Sequence, residues 1–479
     1  MVNLKKSFKF INNHNNKAEG TNPACVLTVQ FSVFFEKLLT EISHKSRETP
    51  HFLLAFSGGL DSTVLLHLLA QAKSRYAFEL YALHINHHLN VNADKWADFC
   101  AHSCFELNVP FQVMHVNLAD DFSLGIEAAA RQLRYKALFD YQIGVSTGQK
   151  VHPDAIMTAH HQDDQAETLL LQLIRGAGVK GLASMPEAHG VNRLYRPFLP
   201  ISRQVIHEYA VQNNLTWCED ESNSNLHYER NFVRHALLPI LEKRHPAIKS
   251  IIARTASHMA EANHLLDNLA IIDAENLIKK NQLCLAGLSA LSKPRAKNLL
   301  RWWFSQNSLA MPNSNHLNEM IEQLFNAKPD ACVKIYLKTL NNAQHLILRC
   351  SQKKVFLCHE RQLQAIELVW SGEPELMLPN GDLLKFNKMT GSGLALRPGL
   401  NKLRVTNRHG GERFQPNVLR PTRSLKYLMQ EAHIPPWERP FFPLIYWDAT
   451  LAYVPGIGIA HHLQTRENEL GLVISLIKS

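Results

Sequence analysis

Six consecutive residues, Ser57-Gly58-Gly59-Leu60-Asp61-Ser62, restrict this chain more than any other stretch. They lie between an apolar run that reads as a buried strand, Phe52-Leu53-Leu54-Ala55-Phe56, and one that reads as a helix, Thr63 to Ala72. Paired glycines at such a junction allow a sharp turn and a close backbone approach to a ligand, with no Cβ in the way. The helix that follows begins with unpaired N–H groups and a partial positive charge, which together seat an anion. Ser57 and Ser62 add hydroxyl donors, and Asp61 is a candidate ligand for a metal ion that neutralises phosphate charge. The whole reads as a pyrophosphate cradle. The Gly-Lys-Ser/Thr ending of a Walker A loop is missing, so that phosphate-binding class is excluded. A serine-capped turn from strand to helix is the plain structural alternative.

The surroundings agree with a nucleotide fold. From Val29 to about His245, apolar runs at Phe52–Phe56, Tyr81–Ile85, Phe111–Val116 and Ala155–Ala159 alternate with helical patterns at Ser62–Ala72, Asp94–Leu107 and Ile126–Tyr141. Such alternation predicts an α/β fold: a parallel, doubly wound sheet with right-handed crossovers. Ligands then sit beyond the carboxyl ends of the strands. Residues 1–28 read as a flexible basic extension, 29–245 as the α/β domain, 246–360 as a mainly helical domain, and 361–479 as a small α+β domain. The helical part closes on strand-like Val333–Leu337 and His345–Leu348, and the last part is rich in turns such as Pro379-Asn380-Gly381 and Pro398-Gly399.

A formal net charge of +9 and a pI near 9.0 favour a polyanionic partner, because attraction to phosphate is long-ranged. No apolar run is long enough to cross a bilayer. The eight cysteines form no Cys-x-x-Cys pair, which points to free thiols in a reducing cytoplasm.

Further chemistry-bearing segments fall at the strand ends. His84-Ile85-Asn86-His87-His88 follows the second strand and faces the crevice where a base or ribose would lie. Arg131, in Arg131-Gln132-Leu133-Arg134-Tyr135, opposes the dipole near a helix start, which favours a phosphate partner; an ion pair with Glu127 is the alternative. His160-His161-Gln162-Asp163-Asp164-Gln165-Ala166-Glu167-Thr168 caps the fourth strand and opens a helix. The three carboxylates of Asp163, Asp164 and Glu167 stabilise that helix start, and such a cluster also suits an octahedral Mg²⁺ that keeps waters and substrate phosphates as its other ligands. Zinc-peptidase spacing is absent. Arg175-Gly176-Ala177-Gly178 supplies a basic glycine loop, and Tyr228-Glu229-Arg230-Asn231-Phe232-Val233-Arg234 mixes charge with aromatics as an amino-acid or nucleic-acid site does.

These segments resemble the PP-loop N-type ATP pyrophosphatases and, within them, the tRNA(Ile)-lysidine synthetase family. The carriers are Ser57–Ser62, His84–His87, Glu127 with Arg131–Tyr135, His160–Thr168, Arg175–Leu182, and Asp220-Glu221-Ser222-Asn223 through Asn231. C-terminal carriers are Gly410-Gly411-Glu412-Arg413-Phe414, Leu425-Lys426 and Ile434-Pro435-Pro436-Trp437-Glu438-Arg439. His88 departs from the pattern, since the family usually has glycine there, and the N-terminal extension lies outside it.

The resemblance implies an enzyme that uses ATP and Mg²⁺ to adenylate the C2 oxygen of the wobble cytidine in CAU-anticodon tRNA(Ile). The ε-amine of free L-lysine then displaces AMP, leaving lysidine. It implies Ser57, Gly58, Gly59, Leu60, Asp61 and Ser62 as the ATP site, and Asp61, Arg131, His161 and Asp164 as catalytic residues. His161 or a nearby carboxylate would take the proton of the amine. Glu167, Arg175, Arg230, Arg234, Arg413, Lys426 and Arg439 are the expected substrate contacts, with the two later domains binding tRNA. A homodimer is one of the assemblies left open. The rival readings are a PP-loop tRNA thiolase, disfavoured by the lack of a cysteine pair, and a non-catalytic RNA-binding protein on the same fold, disfavoured by the intact Ser57–Ser62 and Asp163-Asp164.

Overall fold

The computed structural model describes residues 23–43, 49–88, 90–116, 126–144, 148, 150–189, 193–221, 225–326, 333–339, 345–360, 364–397 and 402–477. The N-terminal 22 residues, Gly125, Ser222, Asn223, Cys332, Pro398 and Gly399, and the side chain of Glu127, lie outside that set. The chain divides into two compact units, Met1–Leu265 and Leu266–Ser479.

Unit 1 runs α1 (Pro23–Ser43), β1 (His51–Ala55), α2 (Leu60–Ala72), β2 (Glu79–Asn86), α3 (Ala93–Glu106), β3 (Phe111–His115), α4 (Ile126–Asp140), β4 (Ala155–Met157), α5 (Gln162–Ile174), β5 (Ala188–His189), β6 (Leu194–Tyr195) and α6 (Arg203–Gln212). The sheet order is β3-β2-β1-β4-β6-β5. Every pairing in it is parallel except β5 with β6. This is the doubly wound α/β class that the alternation predicts. Its apolar strands bury both faces. Phe52, Leu54, Ala155 and Met157 pack into one core with α1, α2, α3 and α6, whereas Leu53, Leu83 and Ile156 pack into a second with Leu138 of α4. Side chains alternate between faces, so a strand covered on both sides reads as one continuous apolar run.

Three features differ from the sequence expectation. The helix α1 starts at Pro23, inside the stretch read as an extension, and its Phe35 packs within 5.0–5.5 Å of Phe31, Phe52, Tyr76 and Phe78. Strand β4 ends at Met157, so Thr158 and Ala159 already belong to the crevice. The strands β5 and β6, two residues each, extend the sheet by pairings too short to leave a periodic signal.

The chain winds outward through β1, β2 and β3, then returns to β4 on the other flank of β1. That reversal opens a crevice beyond the carboxyl ends of β1 and β4, the position where such sheets hold ligands. After α6 come the helical turns Glu229–Phe232, a π-helical stretch Val233–Leu237, and Leu238–Arg244. The division between the units falls within the long helix Ile248–Leu277.

In unit 2, helices Lys293–Gln306 and Ser314–Phe325 pack with a five-stranded antiparallel sheet around Trp303 and Phe304. Two strands of that sheet, Ile278–Lys279 and Gln282–Cys284, interrupt a region expected to be mainly helical. The remainder is β-rich: a five-stranded and a four-stranded sheet with the short helix Leu425–Glu431. Among the described residues no helix is long and apolar enough to cross a membrane.

Candidate active site

The hexapeptide forms the corner between β1 and α2. Gly58 has φ +79°, a left-handed conformation in which a side chain is strained. Its carbonyl accepts from the Cys218 N–H at 2.9 Å, and a Cβ built on it would stand 2.9 Å from the Cys100 Sγ. Both constraints demand glycine. Gly58→Ala is therefore expected to raise the KM for ATP at least tenfold, read by steady-state kinetics. Gly59 is the N-cap of α2 but offers no side-chain cap, so the first turn keeps N–H groups for a ligand. The Ser57 and Ser62 hydroxyls lie 3.0 Å apart, and the Ser62 hydroxyl donates to the Gly59 carbonyl at 3.0 Å.

This corner borders a chamber of about 220 Å³, with Arg131, Tyr135, His160 and Asp164 on its other walls. Asp61 projects into it from the first turn of α2. One carboxylate oxygen, Oδ2, lies 3.6 Å from the His161 Nε2; the other, Oδ1, is buried without a hydrogen-bond partner among the described residues. Arg131 stacks on Tyr135, its guanidinium carbon 5.2 Å from the ring centre, and borders the chamber.

Beyond β4, His161 caps α5. Its Nδ1 accepts from the Asp164 N–H at 3.4 Å, while Asp164 Oδ2 accepts from the His161 N–H at 3.0 Å. The ring proton of neutral His161 is thereby placed on Nε2, toward Asp61 and Asp164. Burial lowers the His161 pKa, but the Asp164 charge and the contact with Asp61 outweigh it, and the net shift is upward. His161 is 3 % exposed and has no free nitrogen for a substrate proton. This differs from the sequence expectation of a proton acceptor: the side chain orients Asp61. His160, its neighbour, is the one that borders the chamber; its Nδ1 pairs with the Thr158 hydroxyl at 2.9 Å, and burial drives its pKa down to about 3.

The two aspartates after it diverge. Asp163 turns to the start of α6, where Oδ1 accepts from the Arg203 N–H at 3.1 Å and Oδ2 meets the Lys249 Nζ at 2.8 Å. It borders neither chamber of the crevice, which departs from the metal-ligand expectation. Asp164 and Glu167 instead meet Arg230 and Arg234. Asp164 Oδ1 accepts from both guanidiniums at 2.9 and 3.3 Å, and Glu167 accepts from Arg230 Nε at 2.8 Å and Arg234 Nε at 2.6 Å. The π-helical stretch carries Arg234, and the turn before it carries Arg230, so both reach the same carboxylates. Burial opposes ionisation of Asp164, yet His161 and Arg230 hold its carboxyl well below the usual range. The quartet is charge-balanced.

Residues 28–241 match the PP-loop domain, 283–356 the TilS substrate binding domain, and 403–476 the TilS substrate C-terminal domain. A tRNA(Ile)-lysidine synthase of Nitrosomonas europaea is 39% identical over 451 residues, covering 92% of this chain and 94% of that relative. Another from Coxiella burnetii is 37% identical over 453 residues, covering 93% and 96%. The chain belongs to the tRNA(Ile)-lysidine synthase family. As a member of that family it is an ATP-using, tRNA-modifying ligase, and the thiolase and non-catalytic alternatives fall away.

The remaining residues expected from the lysidine synthase resemblance are placed as follows. Arg175 is the exposed C-cap of α5, ahead of Gly176 at φ +69°, and borders neither chamber. In unit 2, Arg413 and Lys426 are exposed; Arg413 donates to the Thr422 carbonyl at 3.1 Å. Arg439 is buried and donates its Nε to the Ile434 carbonyl at 3.0 Å, which departs from the substrate contact expected from sequence. Trp437 beside it packs against Phe356 at 5.3 Å and under Arg349 at 5.3 Å, within the unit. Sequence reading gave Arg134 no role, yet it borders both chambers with Arg131, three residues away on the same helical face.

Proposed function

We propose that this chain ligates free L-lysine to C2 of the wobble cytidine of CAU-anticodon tRNA(Ile). The product, lysidine, shifts the codon read from AUG to AUA and the amino-acid identity from methionine to isoleucine. The observation that carries the reading is one crevice with two chemistries: an uncapped helix start beside Asp61, and Asp164 with its paired arginines, Arg230 and Arg234, in the adjoining larger chamber.

In the first step the cytidine O2 attacks the α-phosphorus of ATP and pyrophosphate leaves; Ser57–Ser62 hold the departing phosphates. In the second, the lysine ε-amine attacks C2 and AMP leaves with the former O2. An amide-like oxygen is a poor leaving group and AMP a good one, so the protein's work is positional and electrostatic. Arg131 contacts the nucleotide or the adenylated base. Arg230 and Arg234 border the larger chamber and would face the carboxylate of the amino acid. Glu167, buried with both oxygens held by those arginines and bordering neither chamber, departs from the expected substrate contact and positions them. A divalent cation fits Asp61, whose Oδ1 is buried and unpartnered, and Mg²⁺ bound there would neutralise phosphate charge. Asp163 is excluded as its ligand because both of its oxygens are engaged, and Asp164 is held by arginines. Exposed Arg413 and Lys426 would contact tRNA phosphates. The seven described cysteines are all free thiols, which supports a cytoplasmic setting.

Incubation with ATP, labelled lysine and a CAU-anticodon tRNA(Ile) transcript is expected to place label at the wobble nucleoside and release pyrophosphate stoichiometrically. Pyrophosphate release without label in the tRNA would assign the fold to a different modification.

A further inference from the structure

The crevice of unit 1 has a second, larger chamber of about 590 Å³, joined to the first along Ser57, His84, Arg131 and His160. His88, the residue that departs from the family pattern, borders this chamber and has no part in the chemistry above. It is exposed, as is His115 at the end of β3. The His88 Nε2 and the His115 Nδ1 stand 2.8 Å apart, one ring N–H donating to the lone pair of the other ring. The ring centres are 4.9 Å apart and the two planes lie 14° from parallel. That separation is near the longest that two imidazoles joined by such a hydrogen bond can reach. The rings therefore meet edge to edge, and neither covers a face of the other.

The backbone fixes the same ring. His88 has φ +54°, a left-handed conformation that glycine adopts freely and histidine only occasionally. Its N–H donates to Asn86 Oδ1 at 2.8 Å, and the buried Asn86 donates in turn to Asp94 Oδ1 at 3.0 Å. Glycine, which the family pattern has there, would make this turn without strain. What histidine adds is a flat, oriented aromatic surface at the chamber. Bases of single-stranded RNA loops are recognised by stacking on such rings, histidine included. A ring already held by its neighbour loses little rotamer freedom when a base lies on it.

We infer that His88, held in place by His115, stacks on the base of a nucleotide next to the wobble cytidine. This rests on the lysidine-forming reading. The cytosine must bring its O2 to where the two chambers join, so the RNA chain on one side of it continues through the larger chamber. Arg134, which borders both chambers, supplies positive charge for the intervening phosphate.

The test is a binding cycle with the full-length protein and α,β-methylene-ATP, which cannot release pyrophosphate. Wild type and His88→Gly are each titrated with CAU tRNA(Ile) that is intact, or abasic at the nucleotide 5′ or 3′ of the wobble cytidine. Removing the ring is expected to weaken binding of intact tRNA about five- to tenfold, as is removing the base at one of the two positions. The two changes together cost no more than either alone. His115→Ala, which releases the ring without deleting it, is expected to weaken binding by less than His88→Gly. Binding is read well below the melting temperature of each variant, so a lost contact is not mistaken for a lost fold. Unchanged affinity in His88→Gly, a greater loss from His115→Ala, or losses that multiply at both flanking positions overturn the assignment while wild type still labels tRNA. A wild-type protein that labels no CAU transcript would instead remove the underlying reading.

Discussion

Asp61→Asn is expected to lower lysidine formation by roughly 10²–10³-fold or more, the range seen when a single electrostatic contact to a developing charge is lost, while leaving the fold intact. The substitution keeps the size of the side chain and changes only its charge. Among the described residues that charge has one close companion, the His161 Nε2 at 3.6 Å, and one carboxylate oxygen with none. Asparagine satisfies the first contact poorly, since its amide offers no charge to the imidazole, and cannot serve the second as an anionic ligand for a cation. The cost to folding is small. Asp61 lies in the first turn of α2, where losing a negative charge costs about 0.3–1 kcal/mol. Circular dichroism and a melting curve close to wild type, together with near-complete loss of label from lysine in tRNA, would show the two effects separating. The expected defect lies in the adenylating step, so pyrophosphate release should fall in parallel. Undiminished labelling would show that the unpartnered oxygen faces nothing of consequence.

How far the sequence carried the reading depended on the physical reason behind each residue. The corner at Ser57–Ser62 was legible because its backbone admits no alternative: Gly58 at φ +79° against the Cys100 sulfur can only be glycine. The His160–Thr168 run was legible as a charged helix start, but not the direction of each carboxylate. Adjacent residues on a helix diverge by about 100°, so Asp163 reaches Arg203 and Lys249 while Asp164 faces the arginines. Neither sequence spacing nor residue type distinguishes them. His161, expected to face the substrate, caps α5 for a similar reason, while His160, to which the sequence gave no role, lines the chamber. Helix α1 did leave a signal. Leu27, Phe31, Phe35, Leu38 and Ile42 repeat at helical spacing and are all buried, so the pattern was available to a reader who did not start the domain at Val29. Arg439 shows the opposite limit. A basic residue beside a tryptophan invites a nucleic-acid reading, and only the tertiary structure reveals that it ties down the Ile434 carbonyl.

Glu167→Gln is expected to destabilise unit 1 by about 3–5 kcal/mol, the usual result of removing one partner from a buried ion pair. Glu167 is 1 % exposed and receives Arg230 Nε at 2.8 Å and Arg234 Nε at 2.6 Å. Without its charge, two guanidiniums share the single carboxylate of Asp164 and repel one another where water screens them only in part. For a unit of this size that loss lowers the melting temperature by roughly 6–20 °C. The transition to follow is the one that ATP raises, since a ligand stabilises only the unit that binds it. Stability alone would not show whether the quartet also seats lysine, and a paired variant separates the two. In Glu167→Met with Arg234→Met, one charge of each sign is removed, and Arg230 keeps Asp164 at 2.9 Å. Replacing an ion pair by apolar groups of similar volume is often neutral for folding. This double variant is therefore expected to recover most of the lost melting temperature while the KM for lysine stays raised by at least tenfold and the KM for ATP stays near wild type. Recovery of lysine affinity along with stability would make the quartet a staple of the fold, with the amino acid bound by other groups.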